Sequence, residues 1–178
     1  RIWDIEGKEN NCRLLFTLQS RGALFRSKTL LGLFQLLLIC AVEGVGLLVL
    51  GRLSSYTEVL DRAQLGWLML CTFAVNTMLF FLWLLLSIRF ASQVPTLAAG
   101  MVGSLSGLFA AFMPQWISHL LPWGYYIPLS AMGMDWNRVT REVRYVPIPY
   151  PVWLLAVTAV LLAGFAAAAW RTLKHKEV

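Results

Sequence analysis

The sequence has 178 residues, of which 58% are hydrophobic and only 13% are charged. Soluble domains carry roughly 25% charged residues, so this composition and a mean hydropathy of +0.66 exclude a soluble domain and indicate a membrane protein with several spans. The net charge of +6 does not indicate nucleic-acid binding, because the basic residues cluster at the ends of apolar stretches, where they set orientation and meet anionic lipid.

Residues 1–28 form the one long polar and charged segment before the apolar stretches. Within it, Leu14, Leu15 and Leu18 have the i, i+1, i+4 spacing of one helix face. Arg13 and Arg21 lie beside that face, which predicts an amphipathic helix on a membrane surface or against a partner. We interpret the segment as a cytoplasmic docking element that passes motion to the spans. The alternative is an interfacial helix that only anchors the first span.

Four apolar stretches in residues 29–178 are each long enough to cross a bilayer, which takes about 20 helical residues. Backbone polar groups in lipid must be satisfied within the segment, so we expect all four to be helices. The sequence therefore predicts an all-α, polytopic membrane helix bundle. The predicted spans are 29–50, 65–88, 96–121 and 152–170.

The basic residues are distributed unequally between the two predicted sides of the membrane. The N-terminal segment, the loop at Arg89 and the tail 171–178 together hold ten of the fifteen. Basic loops stay on the cytoplasmic side, so both ends of the chain are expected in the cytoplasm. The ten residues are Arg1, Lys8, Arg13, Arg21, Arg26, Lys28, Arg89, Arg171, Lys174 and Lys176.

The predicted outer loop 122–151 is long and carries six tryptophans and tyrosines. Loops of this length are usually functional or disordered, and the aromatic residues favour a partly ordered segment on the outer headgroups. Alternating Pro147, Pro149 and Pro151 predict an extended run. The loop is either a surface that meets an amphipathic substrate leaving the membrane or an interfacial anchor.

Glu43 is a carboxylate inside the first predicted span, on the order of 10 Å below its outer boundary. Transferring a charged carboxylate from water to this depth costs several kcal/mol of free energy, unless the group is paired, hydrated or protonated. Glu43 either contacts a cationic or polar substrate group in a cavity between helices, or it joins two spans by a hydrogen bond. Asn76 and His119 are its candidate partners.

Small residues recur along the third predicted span, at Gly100, Gly103 and Gly107. This spacing predicts close helix packing, within the chain or between two copies. Pro114 predicts a kink or break in the same span, and Pro122 predicts its end.

The sequence lacks the motifs of several common enzymes and of ATP-binding proteins. It has no Gly-x-x-x-x-Gly-Lys-Ser/Thr loop, no His-Glu-x-x-His and no Gly-x-Ser-x-Gly. His119 and His175 are isolated, and the three cysteines form neither a disulfide framework nor a metal-binding pattern. We therefore expect no catalytic residues, no metal and no cofactor in this chain.

The N-terminal segment contains, in order, an acidic residue, asparagine, a Leu-Leu pair, arginine and a lysine that opens a span. This order resembles the cytoplasmic link of type-2 ABC exporter permeases, and among them most resembles the lantibiotic-immunity and bacitracin-resistance permeases. One departure is that the family often has proline soon after the Leu-Leu pair, where this chain has Leu18 or Gln19. The matching residues are Glu6, Asn10, Asn11, Leu14, Leu15, Arg21 and Lys28.

Such permeases commonly have six spans, with the link between the second and the third. The resemblance therefore implies that the four predicted spans are the last four of six in a bacterial inner-membrane protein. It implies a second permease chain, identical or paralogous, and an ATPase dimer that binds the ATP. The cargo would be an amphipathic, lantibiotic-like peptide, expelled outward for self-protection or resistance. The implied ATPase contacts are Glu6, Asn10, Leu14, Leu15 and Arg21.

Two other functions are compatible with the same sequence. A membrane-integral enzyme acting on lipid or peptide would use Glu43 and His119 as acid–base groups, although the usual catalytic spacings are missing. A scaffold or sensor subunit would use the N-terminal segment to bind a partner without transporting anything.

Overall fold

The computed structural model describes residues 20–54, 61–90, 92–110, 115–136 and 141–175. Three of its helices are long and apolar enough to cross a membrane: α1 (Arg21–Leu53), α2 (Arg62–Arg89) and α6 (Val152–Lys174). They correspond to the first, second and fourth predicted spans. The chain is therefore a bundle of apolar helices, as expected.

Helix α1 begins earlier than the predicted boundary at residue 29. The hydroxyl of Ser20 accepts a hydrogen bond from the amide of Ala23 at 3.3 Å and so caps the first turn. The helix then continues to Leu53 without interruption. The last eight residues of the predicted cytoplasmic segment are therefore the first two turns of α1. Residues 1–19, which hold the rest of the predicted coupling helix, lie outside the described residues.

The third predicted span is not one continuous helix. Helix α3 (Gln93–Phe109) has 17 residues, and the short helix α4 (Gln115–Leu120) follows after a gap in the described residues. Helix α4 begins directly after Pro114, whose ring and missing amide hydrogen oppose helix continuation from the preceding turn. At 1.5 Å per residue, α3 alone is about 25 Å long.

Helix α2 lies at the centre of the bundle. It packs most extensively on α6 and also contacts α1 and α3. Near the end of α2 that carries Arg89, Ile88 packs with Leu24 of α1 and with Ala169 and Leu173 of α6. We call this end of the bundle the basic end, because the last turns of α2 and α6 both carry arginine there.

The opposite end holds the predicted outer loop, which is more structured than expected. It contains a 3-10 helix (Pro122–Tyr125), a short helix α5 (Tyr126–Leu129) and two strands, β1 (Met132–Trp136) and β2 (Val143–Pro147). The strands pair antiparallel, with Met132 opposite Pro147. The all-α prediction is therefore wrong for this hairpin, whose second strand is rich in β-branched and aromatic residues.

Candidate functional site

The main departure from the expected layout is a segment that folds back into the bundle. It consists of α4, the 3-10 helix and α5, and we call residues 115–129 the re-entrant segment. Its Tyr125 and Leu129 are buried in a core cluster with Val75 and Met78 of α2 and Leu154 of α6. Residues 122–129, which the sequence analysis placed in an outer loop on the headgroups, therefore pack against the apolar helices α2 and α6.

The depth of the re-entrant segment is fixed by a side-chain hydrogen bond. The Tyr126 hydroxyl donates to the Asn76 side-chain oxygen at 2.6 Å. Asn76 lies about halfway along α2, about 20 Å from either end at 1.5 Å per residue. The indole nitrogen of Trp67 also donates to the Leu129 carbonyl at 2.8 Å, which ties the end of α5 to α2. Both bonds satisfy polar groups that face little water.

The glycines of α3 provide the surface on which the re-entrant segment rests. Gly103 and Gly107 both face Trp123, and an added methyl at Gly107 would lie 2.8 Å from the Trp123 carbonyl oxygen. Gly100 faces the ring of Trp83 on α2, where a methyl would collide with the indole. The small residues thus lie where bulky tryptophans pack, within one chain.

Glu43 lies on an exposed face of α1. Its carboxylate is close enough to the Tyr126 hydroxyl to interact with it electrostatically, and so is Cys40 one turn earlier. The structure therefore brings two of the predicted path residues, Glu43 and Asn76, within the influence of one tyrosine: Asn76 by a hydrogen bond and Glu43 by electrostatic interaction. Among the described residues no direct hydrogen bond joins Glu43 to Asn76, its candidate partner.

His119, the third predicted path residue, has a different environment. Its ring packs edge-on against Trp153 of α6, with ring centroids 5.4 Å apart and an interplanar angle of 87°. Edge-to-face contact of this kind is a stable aromatic arrangement. Among the described residues, no hydrogen bond joins His119 to Glu43 or Asn76, so the predicted trio is not one cluster.

A cleft of about 540 Å³ opens between α2, α3 and the re-entrant segment. Its walls are mostly apolar and aromatic, with hydroxyl groups from Ser104 and Tyr126. This volume is within the usual range for small-ligand pockets, roughly 300–1,000 Å³. It fits one or two bulky side chains of a peptide, or part of a lipid. The lining residues are Leu79, Trp83, Ser104, Gly107, Leu108, Trp123, Tyr126 and Ile127.

Of the predicted ATPase contacts, only Arg21 lies within the described residues. Its guanidinium donates a 2.6 Å hydrogen bond to the carbonyl oxygen of Lys174. This bond joins the start of α1 to the last turn of α6, where carbonyl groups lack partners within the helix. Glu6, Asn10, Leu14 and Leu15 lie outside the described residues.

Tyr126 and Trp123 are the central residues that the sequence analysis did not single out. A signal for them exists: residues 115–134 contain no Asp, Glu, Lys or Arg. A charge-free run of that length favours burial in a membrane or a protein core. The sequence analysis took Pro122 as the end of the third span and therefore predicted that the residues after it form a surface loop.

The described residues include no group of three or more His, Cys, Asp or Glu that could hold a metal ion. Comparison of the chain with protein-family models, with characterised proteins and with solved structures finds no match.

Proposed function

We propose that this chain is the membrane-spanning permease subunit of an ATP-driven exporter that expels an amphipathic, lantibiotic-like peptide from the membrane to the outside. The observation that carries the proposal is the mostly apolar cleft beside the Tyr126–Asn76 hydrogen bond, halfway along α2. Polar groups at this depth in hydrocarbon are expensive and usually mark a substrate path or a helix contact.

The chemistry of the cleft suits an amphipathic cargo. Apolar side chains of the peptide would enter between Trp83 and Trp123, while Ser104 and Tyr126 offer hydroxyls to its polar groups. Glu43, which interacts electrostatically with Tyr126, would attract a cationic group of the cargo. The re-entrant segment continues directly into the outer hairpin, so cargo released from the cleft would leave on the outer side.

In this proposal α3 and α4 together form the third of the four predicted spans. Helix α3 is about 25 Å long, a little less than the roughly 30 Å hydrocarbon core, and the chain extends beyond it. The basic end then faces the cytoplasm of a bacterial cell, because Arg21, Arg89, Arg171 and Lys174 all lie there. Both ends of the described chain would be cytoplasmic.

The exposed surface of α1 supports a second permease chain. Only four of its 33 residues are buried: Leu24, Lys28, Gly32 and Cys40. Glu43 lies on the exposed surface, where a lone carboxylate in lipid costs about 3 kcal/mol on insertion scales. A second copy or a paralogue packed against α1 would give this carboxylate a polar neighbour.

Coupling to ATP hydrolysis would use the segment that precedes α1. In this proposal Glu6, Asn10, Leu14 and Leu15 contact an ATPase dimer, and the ATP belongs to that partner. Helix α1 is continuous from Arg21, so displacement of the segment would move the whole helix. The Arg21–Lys174 bond would carry the same motion to α6, shifting the permease between two states.

Native mass spectrometry of the complete protein from its own membrane tests the proposal. We expect a permease pair that carries two copies of a nucleotide-binding subunit. Changing Leu14 and Leu15 together to alanine should remove those copies, whereas the matched change of Leu97 and Leu105, two exposed leucines of α3, should retain them. A chain that purifies alone, or with a partner that binds no nucleotide, would contradict the exporter and favour the scaffold or enzyme alternative.

A further inference from the structure

The ends of α2 and α6 form the walls of a second, chemically distinct cavity at the basic end of the bundle, and this cavity is open on one side. Its volume is about 440 Å³. The two helix ends are held together beneath it by the packing of Ile88 on Leu173 and Ala169. The cavity therefore has a fixed apolar floor. Its lining residues are Ile88, Arg89, Arg171, Thr172 and His175.

The charge in this cavity is not balanced by the described protein. The described acidic residues are Glu43, Asp61, Asp135 and Glu142, and none of them lies in the last turns of α2 or α6. Arg21 already caps the Lys174 carbonyl. In the described part of the chain, the guanidinium groups of Arg89 and Arg171 have neither a hydrogen bond nor an ion pair. Two arginines from different helices thus share one cavity.

A tryptophan places the cavity at the level of the lipid headgroups. Trp170 precedes Arg171, and its side chain is 37% exposed. Tryptophan concentrates where the hydrocarbon core meets the headgroups. Arg89 lies at the same level because its neighbour Ile88 packs with Ala169 and Leu173. The guanidinium groups are therefore at the depth of lipid phosphates, immediately beyond the apolar part of each helix.

We propose that this cavity binds the phosphate group of an anionic membrane phospholipid. Arg89 and Arg171 donate to the phosphate oxygens, since a guanidinium presents paired donors that match phosphate geometry. His175 contributes a further ring donor at the rim. The acyl chains lie along the lipid-facing sides of α2 and α6. The site joins two helix ends and does not depend on transport activity.

The test is a lipid titration of the whole purified protein by native mass spectrometry, with phosphatidylglycerol as the probe and phosphatidylcholine as the zwitterionic comparison. The variant is Arg89→Gln with Arg171→Gln. The matched control is Arg52→Gln with Arg62→Gln, which removes two exposed arginines from helix ends at the opposite side of the bundle. Arg89→Lys with Arg171→Lys keeps the charge but removes the paired donors, and the single variants serve if the double variant does not fold.

We expect the affinity of the tightest phosphatidylglycerol molecule to fall about fivefold per arginine removed and about 30-fold for both. The variant with two lysines should lose less phosphatidylglycerol affinity than the variant with two glutamines. The control pair should keep an affinity within twofold of the wild type. Phosphatidylcholine should bind weakly to every variant. Equal losses in the two glutamine pairs, or none in either, would overturn the proposal. Displacement of the lipid by excess inorganic phosphate, with the same arginine dependence, would instead assign the cavity to a soluble phosphate. If the Arg89→Gln, Arg171→Gln variant lost a co-purifying protein but kept its affinity for phosphatidylglycerol, the cavity would be a protein contact and the lipid proposal would be wrong.

Discussion

The hydrogen bond between Tyr126 and Asn76 gives the most direct test of the re-entrant segment. The perturbation is Tyr126→Phe, which removes one hydroxyl and keeps the ring. The paired change is Asn76→Leu, which replaces the amide by an apolar side chain of similar size. Together with the double variant they form a thermodynamic cycle that isolates the pairwise energy.

The expected magnitude follows from the geometry and the surroundings of the pair. The bond is short, at 2.6 Å, and Tyr126 is 36% exposed. Because the bond lies halfway along the apolar helix α2, we expect its surroundings to be lipid instead of water. Leaving one partner of a buried bond unsatisfied costs about 1–3 kcal/mol. Hydrogen bonds between membrane helices average about 0.6 kcal/mol, with a maximum near 1.7. We expect each single variant to lose about 1–2 kcal/mol and the coupling energy to be about 1 kcal/mol.

The measurement is the free energy of unfolding in mixed micelles, by titration with sodium dodecyl sulfate and far-UV circular dichroism. Tyr150→Phe is the matched control. The ring of Tyr150 packs at a tilt against that of Trp67, with ring centroids 4.9 Å apart, but within the described residues its hydroxyl has no hydrogen bond. This control should change the stability by less than about 0.5 kcal/mol.

A coupling energy near zero would refute the reasoning, because it would mean that Tyr126 does not reach Asn76. The re-entrant segment would then not be anchored halfway along α2, and the cleft would lose one wall. Equal destabilisation by Tyr126→Phe and Tyr150→Phe would have the same consequence.

Variants at three further positions test other parts of the structure. Gly107→Ala should lose about 1–3 kcal/mol of unfolding free energy because the added methyl meets the backbone of the 3-10 helix. The control Gly164→Ala, which has open space around it, should be neutral or stabilising. Equal effects of the two variants would mean that the re-entrant segment does not pack on α3. Glu43→Leu should stabilise the isolated chain in bilayers by about 2–3 kcal/mol, because it removes the polar group from lipid. Glu43→Gln should lower ATP-dependent peptide efflux from vesicles, and unchanged efflux would remove Glu43 from the proposed path. Arg21→Gln should speed amide hydrogen exchange in the last turn of α6 about fivefold, the effect of losing about 1 kcal/mol, while Arg26→Gln, an exposed neighbour, should leave it unchanged; no change in either variant would contradict the predicted tie between α1 and α6.

The sequence by itself determined the class of the protein and most of its helices. Long apolar runs can satisfy their backbone in lipid only as helices, so α1, α2 and α6 follow from composition and length. That α3 and α4 are separate helices agrees with the kink or break predicted from the chemistry of Pro114. The positions of arginine and lysine relative to the apolar stretches also predicted that these residues cluster at one end of the bundle.

Only the tertiary structure decided which residues from distant segments contact one another. Residues 122–129 fold against α3 because Trp123 fits the surface formed by Gly103 and Gly107. The spacing of apolar residues in the sequence does not predict such a fit between two surfaces. Asn76 and Tyr126, which form a hydrogen bond, are 50 positions apart in the sequence, and the rings of His119 and Trp153 pack together from different helices. Such partners are set by the three-dimensional packing of side chains from distant segments, whereas a sequence pattern reports only on neighbours within a few turns.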